Sequence, residues 1–406
     1  MMTAEPRLPL ADLRVIDLAD EKGVFGAKLL ADLGADVIKV EKPGGDATRN
    51  IGPFQDDDPH PEKSLYFAYN NTNKRAITLD ITHPDGADIL RRLARDADVI
   101  IETFRPGYLG GLGLDYASLS RENPRLIMTS VTGFGQYGPY ARFNAPDIVS
   151  FAMGGLMFQT GDPDMPPLLA GGMQTYYVSS LFAAAATMVA VTARAAIGKG
   201  QHVDVSMQEC VASILEVMAY YVYANYPTPR MGARHHEACP SDNYPCKDGY
   251  WSICIGPYSQ IWVRLLTWLI NDGAEVGELS SPDYEIGDRR RAVIDTKINP
   301  LLREWAMAYT KEEIFINAQK NDVPITPVNT VADVLADKHL KIRNYFLEVE
   351  HPVIGKAAYP GTPWQFPGRE RRVRPAPLIG EHNLEVYTAL GITGEEMVTL
   401  QGAGVI

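Results

Sequence analysis

Hydrophobic and polar positions alternate in blocks along the first half of the chain, and the blocks have the lengths of strands and helices. The apolar runs at 14–18 and 35–41 predict buried strands, and residues 25–33 between them have helical spacing, with Gly34 as a C-cap. A strand, a helix and a second strand in this order form a βαβ unit with parallel strands. We therefore expect an open parallel sheet with helices on its faces.

The same alternation continues along the chain. It predicts an amphipathic helix at 84–97, strands at 99–102 and 124–131, and a long alanine-rich helix at 179–194. The predicted fold class is therefore α/β, and residues 1–204 form a Rossmann-like domain.

The pattern changes after this domain. Residues 205–228 are rich in Tyr and Pro and predict a crossover linker, and residues 229–330 predict a smaller α+β domain. The elements predicted there are a strand at 250–255 and amphipathic helices at 259–271 and 288–308. The tail from Leu340 has no strong periodicity and closes with a short helix near 383–390, so we expect it to wrap over other surfaces.

Composition narrows the class of protein. A chain of 406 residues with 46% hydrophobic and 22% charged residues is ordinary for a globular protein of about two domains. The net charge of −12 argues against general binding to nucleic acid or to an anionic membrane, because both are polyanions. The N-terminus lacks the pattern of a signal peptide, and the most apolar run, 181–191, is short for a membrane span. We predict a cytoplasmic protein.

Two glycine-containing loops could contact a nucleotide. The segment GFGQYG at 133–138 follows a predicted strand, but Pro139 comes next and no amphipathic helix opens there, which disfavours a dinucleotide site. The turn PGGD at 43–46 could approach a phosphate through its glycine N–H groups, or it could be an ordinary turn.

A metal site is not predicted. The four cysteines include no C-x-x-C pair, so neither a disulfide scaffold nor a zinc ribbon is indicated. The set His235, His236, Cys239 and Cys246 matches no common zinc spacing, and ordinary loop positions explain it better.

A family resemblance is carried by eight segments in a fixed order. They are ADLGADVIKVEKPGGDATR (31–49), NTNKRAITLDI (71–81), ADVIIETFRPG (97–107), NPRLIMTSVTGFGQYGPYA (123–141), GKGQHVDVSMQE (198–209), KDG (247–249), VPITPVNT (323–330) and PLIGEHNLEVYTALG (377–391). Together they span nearly the whole chain, and they resemble the family III CoA-transferases, also called the CaiB/BaiF family.

The resemblance implies an architecture and a reaction. The large domain would be built from both chain ends, with residues 331–406 supplying a linker and the part that completes it, and two subunits would interlock like links of a chain. In this family an acyl group moves from a CoA thioester onto an enzyme Asp, and an acceptor carboxylate finally collects the CoA. The implied substrates are acyl-CoA and a carboxylic acid, and no permanently bound cofactor is implied.

The expected nucleophile is missing. Between Asp164 and Asp204 the chain has no Asp or Glu, although the family's nucleophilic Asp lies in this stretch. Counting back from Arg194 and GKGQ places Tyr176 near its position. A Tyr, with an ordinary pKa near 10, is mostly un-ionised and does not suit an acyl-anhydride cycle. The resemblance therefore implies that this chain has no catalytic residue of its own.

The resemblance also implies a binding site for CoA. Five residues fall where family members contact the nucleotide, namely Lys42, Leu79, Thr103, Phe104 and Arg105. Phe104 could stack on the adenine, and Lys42 and Arg105 could contact phosphates; Phe104 as a core residue and Arg105 as a surface charge is an equally open alternative. An Arg that commonly follows in the family is Gly111 here, which predicts weak CoA binding.

Three functions stay open. The chain could be a non-catalytic subunit paired with a homologous subunit that carries the Asp, as in two-subunit enzymes such as succinyl-CoA:benzylsuccinate CoA-transferase, with a donor such as succinyl-CoA. It could be a self-sufficient homodimeric transferase with Glu21, Asp20 or Asp147 as a displaced nucleophile. It could also bind CoA esters as a regulatory protein without turnover. A racemase is less favoured, because Pro146 replaces the imidazole that the related racemases use.

Overall fold

The chain divides into two compact units. The computed structural model describes residues 8–226, 228–257, 259–367 and 371–406. The first unit contains Met1–Leu156, Leu169–Glu216 and Lys341–Ile406, and the second contains Met157–Leu168 and Val217–Leu340. The first unit is thus assembled from segments at both ends of the chain.

The described residues form eleven strands and eighteen α-helices. The strands are β1 Arg14–Leu18, β2 Asp36–Glu41, β3 Arg75–Thr78, β4 Val99–Glu102, β5 Ile127–Thr132, β6 His202–Ser206, β7 Ser241–Cys246, β8 Gly249–Cys254, β9 Ile325–Val328, β10 Phe346–His351 and β11 Gly355–Pro360. The helices are α1 Val24–Asp32, α2 Leu65–Asn70, α3 Pro84–Arg95, α4 Tyr108–Gly111, α5 Tyr116–Glu122, α6 Asp147–Met153, α7 Leu156–Gln159, α8 Gln174–Ile197, α9 Met207–Ser213, α10 Val217–Ala224, α11 Gln260–Asn271, α12 Gly287–Val293, α13 Asn299–Ala306, α14 Lys311–Lys320, α15 Val331–Ala336, α16 Lys338–Ile342, α17 Asn383–Ala389 and α18 Gly394–Gly402.

A six-stranded parallel sheet organises the first unit. Its order is β3-β2-β1-β4-β5-β6, and every neighbouring pair is parallel. The strand order reverses between β1 and β4, and ligands of open α/β sheets bind outside the carboxyl ends of the strands at such a point. The predicted α/β class with a parallel sheet is confirmed.

Both faces of this sheet are buried, which explains the many apolar residues of its strands. The charged residues Asp17, Lys39, Glu41 and Glu102 are buried in it as well. Alternate residues of a strand point to opposite faces. One face packs through Ile16, Ile38, Ile77 and Ile100 against α3 and the C-terminal helices, and the other packs through Val15, Val37, Val99 and Ile127 against α1 and α8. The buried residues of α8 are mostly small, which lets this helix approach the sheet closely.

β3 is an edge strand of the sheet, and the C-terminal segment covers its outer edge. The N–H of Thr78 donates to Asn383 Oδ1 at 2.9 Å, and the hydroxyl of Tyr387 donates to the Thr78 carbonyl. Just beyond the strand, the N–H of Asp80 donates to the carbonyl of Val405 at 2.7 Å. An uncovered edge strand would leave these groups open to pairing with other chains, so the tail protects the sheet.

The second unit has a small antiparallel sheet in the order β7-β8-β9 and an aromatic core. Trp251, Trp262, Trp268 and Trp305 all lie in this core, and the rings of Trp268 and Trp305 meet edge to face at 4.9 Å. The helix predicted at 288–308 is interrupted. A π-helical turn separates α12 from α13, and α13 has a Pro in its first turn, where no intrahelical donor is needed.

Two segments predicted as irregular have regular structure. The stretch 205–228 contains α9 and α10, and the boundary between the two units falls within it, after Glu216. In the tail, β10 and β11 form an antiparallel hairpin in which Phe346 pairs with Pro360. The linker prediction for 205–228 did not include α9 and α10, and the prediction for the tail did not include the β10–β11 hairpin.

Candidate functional site

Tyr176 lies in the first turn of α8, where the resemblance places the family's nucleophile. Its side chain is 6% exposed, and its hydroxyl accepts a hydrogen bond from the N–H of Asp147 at 3.0 Å. In return, Asp147 Oδ1 accepts from the N–H of Thr175 at 2.9 Å, which satisfies an otherwise unpaired donor of α8. The starts of α6 and α8 are therefore joined through this phenol and this carboxylate.

Electrostatics keep the Tyr176 phenol protonated. Burial is the main reason that its pKa is raised to about 12, and the nearby acidic side chains Glu21, Asp147 and Asp20 contribute in the same direction. The hydrogen bond from Asp147 acts in the opposite direction but does not outweigh burial. At neutral pH the residue is thus an uncharged hydroxyl group rather than a nucleophilic anion.

The loop after β1, residues 19–24, is fixed by side chains from four other segments. The Thr103 hydroxyl accepts from the N–H of Asp20 at 2.9 Å, and the Ser180 hydroxyl donates to the Lys22 carbonyl at 3.3 Å. The ammonium groups of two lysines bind the ends of the loop: Lys39 donates to the Ala19 carbonyl, and Lys74 donates to the Val24 carbonyl at 3.0 Å. Lys74 is fully buried, with the Asp17 carboxylate 2.8 Å from its ammonium group. The loop that crosses the switch point is therefore preorganised.

The three candidate displaced nucleophiles differ in their surroundings. Asp20 contacts the ammonium group of Lys22, and Asp147 caps α8. Glu21 is partly buried, and burial together with the neighbouring charge of Asp20 raises its pKa. Glu21 also couples electrostatically to Tyr176. Of the three, Glu21 has the environment that best suits a reactive carboxyl group.

The predicted CoA residues lie at the carboxyl ends of three strands. Lys42 follows β2, Leu79 follows β3, and Thr103, Phe104 and Arg105 follow β4. Strands β2 and β4 flank β1 and β3 lies beyond β2, so the tertiary fold brings five separated positions to one edge of the sheet. This edge is where α/β proteins bind nucleotides.

Their side chains are not equally available to a ligand. The Leu79 side chain is 1% exposed and belongs to the core, so this residue could meet CoA only through its backbone. Thr103 is buried against the loop after β1. Phe104 stacks on Tyr108 with ring centroids 4.8 Å apart. Lys42 is an exposed cation, and Arg105, also exposed, donates to Asn144 Oδ1 at 2.5 Å.

Two further features bear on phosphate binding. No atom of the described residues lies within 4 Å of a Cβ placed on Gly111, so the position where the family commonly has Arg is open. In the turn 43–46 the N–H of Gly45 donates to the carbonyl of Lys42 at 2.8 Å. This N–H is thus used within the turn itself.

Other chemistry is not supported by the described part of the chain. It contains no group of three or more His, Cys, Asp or Glu side chains that could hold a metal ion. Within it, α8 is the single helix whose length and apolar composition would suit a membrane span, but its small residues pack against the sheet as in a core helix. After GFGQYG the next helix, α6, begins only at Asp147.

Comparison with known proteins identifies the family. The profile described as CoA-transferase family III matches residues 10–383. The chain therefore belongs to the family III CoA-transferases, soluble enzymes that move CoA between acyl-CoA and carboxylic acids. A CaiB/BaiF family protein from Brucella suis has the same fold, with 34% identity, a TM-score of 0.83, and coverage of 95% of this chain and 100% of that one.

Curated relatives include subunits of two-subunit enzymes. The BbsE subunit of succinyl-CoA:(R)-benzylsuccinate CoA-transferase from Thauera aromatica is 34% identical, and the match covers 97% of each chain. The alpha and beta subunits of succinyl-CoA–L-malate CoA-transferase from Chloroflexus aurantiacus are 31% and 32% identical, with coverage of 100% and 98% of this chain and 94% and 98% of theirs. Another relative, the succinate–glutarate CoA-transferase of Agrobacterium fabrum, is 32% identical over 94% of this chain and 96% of its own length, and its name does not mark it as a subunit.

Proposed function

We propose that this chain is the non-catalytic subunit of a two-subunit family III CoA-transferase. Its partner would be a homologous subunit that carries an Asp where this chain has Tyr176. The complete enzyme would move CoA from a donor such as succinyl-CoA to a carboxylic acid in the cytoplasm.

The Tyr176 environment carries this proposal. The position of the family's nucleophile holds a buried phenol whose pKa is raised to about 12 and whose hydroxyl is used to bind Asp147. The sequence from 165 to 203 offers no carboxylate that a small shift of the helix could bring there. Acyl transfer through a mixed anhydride needs such a carboxylate.

An interlocked partner is supported by the exposed apolar surface of α8. Leu181, Phe182, Val189 and Ile197 are each at least 40% exposed on this helix, although its opposite face packs in the core. Neighbouring apolar side chains that remain exposed commonly mark a protein interface. We propose that the homologous subunit covers them. A stable, monodisperse monomer in light scattering would contradict this assembly.

Lys42, Leu79, Thr103, Phe104 and Arg105 are the proposed CoA contacts. Lys42 and Arg105 supply the positive charge for phosphates, and Phe104 supplies a ring for the adenine. Gly111 stands where the family commonly has an Arg, so one positively charged partner for the CoA phosphates is missing. We therefore propose that this subunit binds CoA weakly.

The test is reconstitution with the partner. The chain is purified alone and after co-expression with the homologous subunit, and CoA transfer from succinyl-CoA to a panel of carboxylic acids is measured. We expect no turnover by the isolated chain and turnover by the complex, which should be lost when the partner's nucleophilic Asp is replaced by Asn. Robust turnover by the isolated chain would refute the proposal.

A self-sufficient homodimer is the second candidate, because Glu21 has a raised pKa and lies close to Tyr176. In that case the isolated chain would form an acyl adduct that hydroxylamine cleaves, and Glu21→Gln would abolish it. Asp204→Asn serves as a matched carboxylate control, since Asp204 instead accepts hydrogen bonds from the N–H of Gln136. CoA binding without either activity would favour a regulatory role.

A further inference from the structure

Glu102, at the end of β4, is a buried carboxyl group for which the proposed function above has no use. Its side chain is 4% exposed, and Oε2 accepts a hydrogen bond from the N–H of Phe104 at 2.7 Å. The loop that starts here carries Thr103, Phe104 and Arg105, three of the proposed CoA contacts. Glu102 therefore acts on the backbone of this loop rather than on the ligand.

Two side chains from the neighbouring strands brace this carboxyl group. Ser130 of β5 pairs with Glu102 across the sheet, and its hydroxyl is a hydrogen-bonding neighbour that lowers the pKa of the carboxyl group. Ser130 Oγ also lies 2.8 Å from Nε2 of His202 on β6. A hydroxyl group that donates to Glu102 can still accept from His202. The ring of His202 stacks on that of Tyr116 at 5.6 Å, which fixes the imidazole in turn. A chain of polar contacts thus runs from the edge strand β6 to the loop.

The carboxyl group also borders open space. It lines a pocket of about 250 Å³ together with Arg105, Ser130, Gln136 and His202. The side-chain nitrogen of Gln136 is buried there without a hydrogen-bond partner. Such a pocket admits water, so Glu102 can exchange a proton with solvent even though its side chain is buried.

We propose that Glu102 is a positioning residue for CoA: its ionised carboxylate, held by Ser130, fixes the Phe104 N–H and so holds loop 103–107 in the conformation that receives the nucleotide. This inference rests on the CoA site proposed above. A carboxylate accepts a hydrogen bond more strongly than a neutral acid does. The loop is therefore held more tightly when Glu102 is ionised.

The surroundings of Glu102 place its titration near neutrality. Its pKa is raised to about 7, mainly by burial, although the hydrogen bonds from Ser130 and Phe104 act in the opposite direction. The charged or titratable groups that face it or share its pocket are Asp20, Lys22, Arg105, Asp115 and His202. Burial also lowers the pKa of His202, which favours its neutral imidazole. The loop should therefore tighten as pH rises through about 7.

The first measurement uses the ligand-free, full-length chain. Hydrogen exchange of peptides covering 103–107 is compared at pH 8 among the wild type, Glu102→Gln, Ser130→Ala and Glu122→Gln. Glu122 is an exposed glutamate paired with Arg95, so Glu122→Gln makes the same chemical change at a site away from the loop. We expect exchange at least fivefold faster in Glu102→Gln, a smaller increase in Ser130→Ala and no change in Glu122→Gln. Equal exchange in Glu102→Gln and the wild type overturns the proposal.

The second measurement is CoA affinity by calorimetry from pH 6 to 8. We expect about tenfold weaker binding by Glu102→Gln than by the wild type at pH 8, and a difference that shrinks toward pH 6, where wild-type Glu102 is protonated. The CoA phosphates titrate in this range as well, but they do so equally with both proteins. The ratio of the two affinities at each pH therefore removes their contribution. A ratio that does not change with pH overturns the positioning role in CoA binding.

The two measurements separate the two proposals. Absence of CoA binding by the wild type would refute the CoA site and thereby the ligand named here. The exchange result would still decide whether Glu102 holds the loop. Faster exchange with unchanged CoA affinity would show that Glu102 orders this segment but has no part in binding.

Discussion

The hydroxyl of Tyr176 accepts a 3.0 Å hydrogen bond from the N–H of Asp147, two residues that are 29 positions apart in the sequence. This contact joins the starts of α6 and α8 and gives a structural role to Tyr176, the residue that the family resemblance predicts near the nucleophile's position. A carboxylate in place of the Tyr176 phenol would experience the negative charges of Asp147 and Glu21. The neutral phenol avoids this repulsion between like charges. The tyrosine thus suits a subunit that leaves the acyl transfer to its partner.

Replacing Tyr176 with Phe should destabilise the chain by about 1 kcal/mol, because the N–H of Asp147 loses its acceptor while the ring keeps its packing. Urea denaturation of the purified protein measures the difference. Tyr223→Phe is the matched control, since Tyr223 is 89% exposed and its hydroxyl can bond to water. If the two variants were equally stable, the hydrogen bond to Asp147 would contribute nothing.

Replacing Tyr176 with Asp should give the isolated chain a trappable acyl group, because it restores a carboxylate at the position the family uses. Incubation with succinyl-CoA followed by hydroxylamine and mass spectrometry detects it. Tyr176→Asn has nearly the same shape but cannot form an anhydride, and it should remain unmodified. An adduct in neither variant would show that the surrounding site has lost more than its nucleophile.

Replacing Gly111 with Arg should tighten CoA binding about tenfold or more, because a charge-assisted contact to phosphate contributes about 1.5–3 kcal/mol. No atom of the described residues lies within 4 Å of a Cβ placed at this position, so the new side chain starts in open space. Calorimetry at low ionic strength measures the gain, and Gly111→Gln separates the effect of charge from that of side-chain length. Equal affinity in all three proteins would place the CoA phosphates elsewhere.

Glu102 should make stability depend on pH. Burial raises the pKa of this carboxyl group from 4.5 to about 7 in the folded protein. Between these values the folded chain binds more protons than the unfolded chain, so stability falls as pH rises from 4.5 to about 7. The shift corresponds to a loss of about 3 kcal/mol at most. The ionised Glu102 carboxylate therefore lowers the free energy of unfolding of the whole chain at high pH, although it holds the proposed CoA loop more tightly.

The measurement is the free energy of unfolding of the wild type and Glu102→Gln from pH 5 to 8. The Gln variant cannot ionise, so its stability relative to the wild type should rise across this range. Glu122→Gln should parallel the wild type, because its carboxylate is exposed at the surface. Parallel curves for Glu102→Gln and the wild type would mean that Glu102 does not change its charge in this range.

Much of the sheet could be predicted from the sequence. The strands at 14–18 and 99–102 match β1 and β4, and the run 35–41 begins one residue before β2. These segments are buried on both faces, so their content of apolar residues identifies them without knowledge of their neighbours, although Asp17 and Lys39 interrupt the runs. β3 gives a weaker signal, because it is an edge strand whose outer side is completed by residues 382–387 near the other end of the chain.

The sequence by itself determined the family and the absence of a carboxylate from 165 to 203, because residue identities and motif order do not depend on folding. Only the tertiary structure decided how Tyr176 is bound and how the proposed CoA loop is held. The pairs Asp147–Tyr176, Asp20–Thr103 and Ser130–His202 are separated by 29, 83 and 72 positions. A local sequence pattern indicates the secondary structure and the burial of one element at a time. Contacts between elements exist only after the parallel sheet has brought the ends of its strands to one edge.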